Sequence, residues 1–381
     1  MERDELSAWL RLTLTEGIGT HSARRLLACF GSAPAIFAQR PEALAQVVSA
    51  RQAEALQDAP LDLAAQRHRT EHWLDTPAPG TEHAVWSLGD PAYPAAFLQL
   101  SDPPLLVYAQ GRGVRDPASS RVQTAVAIVG SRNPTHQGQH TARQMAQALA
   151  SAGLCVVSGL ALGIDGAAHQ GALDALAEQP RGAHAGPCTV AVVGTGLDRV
   201  YPRQHAALAQ AVAHHGVVLS ECPLGAPPLA AHFPRRNRLI AALAQGTLVV
   251  EAALHSGSLI TAELALGLGR EVMAMPGSVH APQSRGCHAL LRQGATLVEN
   301  AQDVLDALRL PAQTAPCMAL ATPAPSDDDA LLACMGFDPV HLDALQARSA
   351  MDTATLQARL LTLELDQRIG RLPGGLFQRL G

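Results

Sequence analysis

No lysine occurs in this chain of 381 residues; all 28 basic side chains are arginine. So complete a bias reflects genomic base composition, and it leaves every cationic contact to a guanidinium. Aromatic residues make up only 3%, against 48% for the apolar set as a whole, so Ala, Leu and Val must fill the core. The seven cysteines form no Cys-x-x-Cys pair. Scattered and odd in number, they exclude a disulfide framework and read as reduced thiols. His, Cys and acidic residues show no zinc spacing. No apolar run approaches the ~18 residues of a membrane-spanning helix. The opening MERDELSAWLRL carries acids and lacks an apolar stretch, so no signal peptide is expected there. The expectation is a cytoplasmic protein without metal or cofactor. The net charge of −5 argues against non-specific coating of DNA or of an anionic membrane. Any nucleic-acid binding has to come from a local patch.

Such a patch is present. His232-Phe233-Pro234-Arg235-Arg236-Asn237-Arg238 places three guanidinium groups, an amide and a ring together with no acid among them. From Arg199 to Val250 there are five arginines and one acid, Glu221. Guanidinium forks match phosphate oxygens two at a time. A ring beside them offers a face to an unpaired base. The combination points to single-stranded nucleic acid; the plainer alternative is a surface helix start with arginines lying along it.

The length suits two or three domains. Residues 1–75 predict a helical unit, with Leu6, Leu10, Leu12 and Leu14, then Leu26, Leu27 and Phe30, at helical spacing. Gly17-Ile18-Gly19 lies between these stretches and resembles the turn of a helix-hairpin-helix, whose amides can face a phosphate. Glu16 beside it would repel phosphate, so a plain turn between packed helices is the preferred reading. Residues 76–123, rich in Pro, Gly and Asp, read as a connector whose two short strands add an edge to the next domain. Residues 124–310 alternate between apolar runs and helical patterns. Strands are expected at 124–130, 154–159, 189–194, 216–220, 246–251, 270–275 and 295–299. Continuous Val/Ile/Leu runs mark strands buried on both faces, hence a doubly wound, Rossmann-like α/β domain with a parallel sheet. Ligands of such domains sit at the carboxyl ends of the strands. Residues 311–326 read as a Pro-rich linker. Residues 327–381 predict three helices, the second near 340–348, and a hairpin turning at Pro373-Gly374-Gly375, which together make a winged helix. Its third helix carries Arg359 among Asp352, Glu364 and Asp366, so protein docking or packing is expected of it rather than phosphate contact.

The strand ends hold the chemistry. Gly130-Ser131-Arg132-Asn133-Pro134-Thr135 offers amides, hydroxyls and a charge to an anion. In the run 158–171, Gly159 and Gly163 allow close approach and Asp165 stands at a helix start, four residues before His169. An acid–base pair is conceivable there, but no nucleophile is near, and a helix cap beside a satisfied histidine is preferred. Gly194-Thr195-Gly196 departs from the dinucleotide fingerprint, so NAD is not expected. Further on come Glu251, His255-Ser256-Gly257-Ser258 and Arg285-Gly286-Cys287. Cys287 is read as a small buried thiol and not as a nucleophile. No catalytic residue is assigned.

In order and spacing, GSRNPT (130–135), SGLALGIDGAAHQGAL (158–173), GTGLDRVYP (194–202), HFPRRNRLIA (232–241), SGSLITAELALGLGREVMAMPG (256–277) and SRGCHALLRQGA (284–295) resemble the successive motifs of the DNA-processing protein A family, DprA/Smf. The flanks resemble the family's N-terminal SAM-like domain and C-terminal winged helix. The resemblance implies a non-enzymatic protein of natural transformation. Such a protein binds and protects incoming single-stranded DNA, helps load RecA onto it, and dimerises through the Rossmann-like domain. It implies that Ser131 and Arg132 face the backbone phosphates, with Gly159 and Gly163 keeping the groove floor low. It further implies that Phe233 stacks on a base while Arg235, Arg236, Asn237 and Arg238 line the same groove. The chain departs from the family at Leu229-Ala230-Ala231, where a basic residue often precedes the Phe-Pro pair, at Leu162, where many relatives have Arg, and at His288, where Asn is frequent. A different class, the Rossmann-like nucleotide phosphoribohydrolases, is resembled only superficially, through Gly246-Thr247 and Glu251.

Overall fold

The computed structural model describes residues 2–116, 124–178, 186–310, 327–336, 338–349, 351–366 and 368–379. The Pro-rich stretch 311–326 lies outside them.

Six helices open the chain: α1 (Arg3–Leu14), α2 (Thr20–Phe30), α3 (Ala33–Phe37), α4 (Pro41–Leu44), α5 (Ala50–Ala55) and α6 (Leu63–Asp75). Their apolar positions, Leu6, Leu10 and Leu12 of α1 and Leu26 of α2, share one core with Tyr108, Val193 and Val218 of the following domain. The helical unit therefore packs directly onto the sheet. Between α1 and α2, Gly17 has φ +79°, which glycine adopts without strain. The Gln52 side-chain amide donates to the Gly17 carbonyl at 2.8 Å and to Ser22 Oγ at 3.0 Å. This is a turn joining two packed helices, held in place by α5.

The central domain contains β1 (Glu82–Ser87), β2 (Leu106–Gly111), β3 (Ala125–Val129), α7 (His136–Ser151), β4 (Cys155–Ser158), α8 (Ile164–Glu178), β5 (Thr189–Val193), α9 (Ala206–His215) and β6 (Val217–Ser220). It continues with α10 (His232–Leu243), β7 (Gly246–Val249), α11 (Gly257–Gly267), β8 (Glu271–Ala274), α12 (Arg285–Arg292), β9 (Thr296–Leu297) and α13 (Ala301–Ala307). One sheet runs in the order β1-β2-β6-β5-β4-β3-β7-β8-β9. The strands from β6 to β9 are mutually parallel, and β3 to β7 are buried along their whole length, as their continuous apolar runs require. The hairpin of β1 and β2 adds an antiparallel edge through β6. One face is covered by α7, α8 and α13, the other by α10, α11 and α12, giving two separate apolar layers. Strand order reverses between β3 and β7, so a crevice opens above their carboxyl ends.

The C-terminal unit comprises α14 (Asp327–Met335), β10 (Val340–His341), α15 (Leu342–Ser349), α16 (Thr353–Leu365), β11 (Ile369–Leu372) and β12 (Leu376–Arg379). Its sheet order is β10-β12-β11, and Leu331, Leu345, Leu356, Leu360 and Phe377 form its own core. The second helix starts at Leu342, because Val340 and His341 pair with Phe377 and Leu376 as a strand. Gln378 of the wing donates to Gln137 of α7 at 3.0 Å.

Candidate nucleic-acid interface

The loop after β3 leads into α7 under tight constraint. Ser131 N–H donates to the Glu251 carbonyl at 2.7 Å, and Ser131 Oγ accepts from Asn133 N–H at 3.1 Å. Thr135 caps α7 by accepting from Gly138 N–H. Both the amide and the hydroxyl of Thr135 donate to the Glu251 carboxylate, at 2.9 and 2.6 Å. The α7 N-terminus, where a Rossmann domain commonly holds a phosphate, is thus occupied by the protein's own carboxylate. Gly163 (φ +80°) passes so close to the Ser131 carbonyl that a Cβ there would collide with it. The constraints leave the Arg132 side chain projecting into solvent. Among the described residues Arg132 forms no ion pair; its guanidinium carbon lies 5.3 Å from the centre of the Phe233 ring.

Phe233 stands in the first turn of α10, where Pro234 is tolerated because first-turn amides have no helical acceptor. It is half-buried. Together with Ser131, Arg132, Tyr201, Asn237 and Ser256 it lines an open groove of about 720 Å³ at the β3/β7 crevice. Asn237 donates its amide to the Gly257 carbonyl at 3.2 Å, tying α10 to the start of α11.

The three arginines of α10 have different surroundings. Arg236 is buried and donates to the Val192 carbonyl beneath the groove. Burial pushes its pKa down to about 10, and the neighbouring Asp165 opposes that shift. Gly159 makes the space: a Cβ there would overlap the Arg236 guanidinium. Asp165 is buried as well; burial raises its pKa, with Arg236 and the loop amides pulling it back. Arg238 is buried with Nη2 at 2.7 and 2.8 Å from the Glu221 oxygens and Nε at 3.2 Å from Asp102. Arg235 is exposed, yet its Nη2 bonds Glu221 at 2.9 Å. Sequence proximity suggested a patch without acids; the turn after β6 brings Glu221 into it. The fold therefore gathers Ser131, Arg132, Phe233, Arg236 and Asn237 at the groove, with Gly159 and Gly163 packed beneath. Arg235 and Arg238 converge on Glu221 instead, and Arg235 lines a smaller cavity against α1 and α2.

Other candidates resolve as structural. His169 Nδ1 bonds Thr189 Oγ1 at 2.7 Å, the Thr189 hydroxyl donates to the Val156 carbonyl, and burial pushes the His169 pKa down to about 3, so His169 sits neutral in the core with Thr189 as its partner. Cys287 is buried with its thiol pushed up to about 12 by burial.

Two residues gain their place only in the fold. Glu221 is a lone acid in the sequence from Arg199 to Val250. Tyr201 carries no role by its motif alone, although an aromatic in a glycine-rich loop of so ring-poor a chain is a usable signal. Tyr201 is 45% exposed, and its ring lies 5.6 Å from that of Phe233.

The family model for DNA recombination-mediator protein A matches residues 84–309, and that for the DprA winged helix domain matches residues 313–375. The chain belongs to the DprA/Smf family. Protein Smf of Escherichia coli is 38% identical over 313 residues, which is 80% of this chain and 78% of that protein. The crystal structure of DNA processing protein A from Streptococcus pneumoniae superposes with a TM-score of 0.64 at 32% identity, over 80% of this chain and 98% of that one. DNA processing protein A of Helicobacter pylori, whose structure was described for its single-stranded DNA binding mode, gives 0.50 at 29% identity over 60% of this chain and 95% of that one. The first DprA match begins within β1, so the β1–β2 hairpin is part of the family's central domain.

Proposed function

We propose that the groove at the β3/β7 crevice binds single-stranded DNA. The observation that carries this reading is the pairing of Arg132, an exposed guanidinium with no ion pair among the described residues, with the half-buried ring of Phe233 in an open groove. In this reading Arg132 takes backbone phosphate and Phe233 takes a base. Asn237 and Ser131 border the strand, and Arg236 supplies positive potential from below the floor. Gly159 and Gly163 allow the floor to lie close. Arg235 and Arg238 shape the end of α10 through Glu221; their contribution to DNA is indirect. The single-strand binding of the Helicobacter relative supports the reading.

For the wider role we propose protection of incoming single strands during natural transformation in the cytoplasm, transfer of the strand to RecA, and a homodimer formed through the α/β domain, a reading that family membership supports. We read the protein as a binder and not an enzyme. The phosphoribohydrolase alternative would need Glu251 facing a nucleotide, and both Glu251 oxygens are engaged by Thr135.

The test is fluorescence anisotropy of an oligothymidine and of a matched duplex over a salt series. Salt-sensitive binding with strong preference for the single strand is expected. Equal or absent binding to both, with release of free base from a nucleoside monophosphate, would reverse the assignment. RecA transfer is tested separately, by whether the protein accelerates RecA assembly on an oligonucleotide already coated with single-strand binding protein.

A further inference from the structure

We infer that Tyr201 is a second base-stacking ring, so that the groove holds two neighbouring bases, one on Phe233 and one on Tyr201. This rests on the single-strand reading above. The chain spends its few rings on packing: Trp9, Trp73, Trp86, Tyr93, Phe97 and Tyr108 are all buried. Among the described Phe, Tyr and Trp residues, Phe30, Phe37 and Phe233 are half-buried and Tyr201 alone is exposed, at 45%. It sits in the loop after β5, lines the same groove as Phe233, and lies 5.6 Å from it with the two planes inclined by 43°.

Phe233 is the less accessible of the two rings. It is half-buried, and the Arg132 guanidinium lies 5.3 Å from its centre, a cation–π contact. Tyr201 is therefore the ring a base meets first. When Arg132 moves to a phosphate, it uncovers Phe233 for the adjacent base. Two bases lying flat on rings inclined by 43° cannot also lie parallel to each other. They must splay apart, which a single strand does by giving up one stacking step and which a duplex cannot do without unpairing. The ring pair thereby selects single strands by geometry, independently of charge.

The experiment uses the full chain and the shortest oligothymidine that binds with full affinity, with an abasic site placed at each position in turn. Two adjacent sensitive positions are expected for the wild type. Tyr201→Ala should remove one of them and weaken binding of the intact oligonucleotide about 5- to 150-fold. The dependence of affinity on salt should not change, because no phosphate contact is lost. Tyr201→Phe should bind like the wild type. A single sensitive position in the wild type overturns the inference, and that measurement needs no variant. Unchanged affinity of Tyr201→Ala, with Arg132→Ala and Phe233→Ala both weakened, also overturns it. A Tyr201→Ala/Phe233→Ala double variant no weaker than Phe233→Ala alone reduces Tyr201 to a prop for Phe233, and the inference again falls. If Arg132→Ala and Phe233→Ala bind like the wild type, the groove reading falls and this inference with it.

Discussion

In the proposed groove Arg132 and Phe233 would meet different parts of a nucleotide, and the effects of removing them should separate accordingly. Removing the Arg132 guanidinium should weaken oligothymidine binding and flatten the plot of log affinity against log salt by about 0.7, the share of one phosphate on a single strand. Removing the Phe233 ring should weaken binding with the slope kept, at about 1–3 kcal/mol for a lost stacked base. Anisotropy titrations of both variants over a salt series check this; an unchanged slope for Arg132→Ala would take that residue off the phosphate. The arginines of α10 are distinguished by stability. Glu221→Ala leaves the buried Arg238 with only the half-exposed Asp102 as a carboxylate partner. Urea unfolding should show a loss on the order of 3 kcal/mol, as for broken buried pairs. Arg235→Ala breaks an exposed arm of the same cluster and should cost under about 1 kcal/mol. Similar losses for the two variants would contradict the division between structural and surface arginines.

Helix α8 is where burial of polar groups becomes a pH effect. His169 projects from it into the core, and burial pushes its pKa down to about 3 from an ordinary 6.5. A histidine depressed in the folded state contributes its stability fully above its unfolded pKa and loses it as pH falls from there toward the folded value. Between pH 7 and pH 5 the loss should reach about 2 kcal/mol in urea unfolding. His169→Asn keeps a donor for Thr189 and removes the titration, so its curve should be flatter over that interval. Asp165, on the same helix, has its pKa raised, so its stabilising contribution is present at low pH and is lost as pH rises. The opposite sign is why the variant comparison, and not the wild-type curve alone, isolates His169. Equal slopes for the two proteins would show that His169 titrates normally in the fold.

The described residues divide into two packing units. The N-terminal helices and the central sheet share apolar residues, whereas the winged helix closes around its own. The groove lies wholly in the first part: every residue lining it falls between 129 and 261. Deleting residues 311–381 should therefore leave oligothymidine affinity and its salt dependence intact, and calorimetry should show the main transition preserved. A large fall in affinity would move part of the strand's path onto the winged helix. With a net charge of −5, long-range attraction for DNA is weak, so affinity should rest on the groove contacts.

The residue pattern by itself specifies the architecture of the central domain. Continuous apolar runs such as Ala125–Val129 identify buried parallel strands, and the glycines and hydroxyls that follow them mark the edge of the sheet where the proposed groove lies. These signals are local, because strand burial and turn chemistry depend on a few neighbours along the chain. Which arginines are available was not legible, since availability depends on groups distant in sequence. Glu221 reaches Arg235 and Arg238 only after the chain turns back at the end of β6. Arg236 goes under the groove floor because Gly159, on another strand end, leaves room for it. Tyr201 meets Phe233 only because β5 delivers its loop beside the start of α10. Charge pairing, burial and ring contact act through space, so they were decided by the packing of the sheet and its helices.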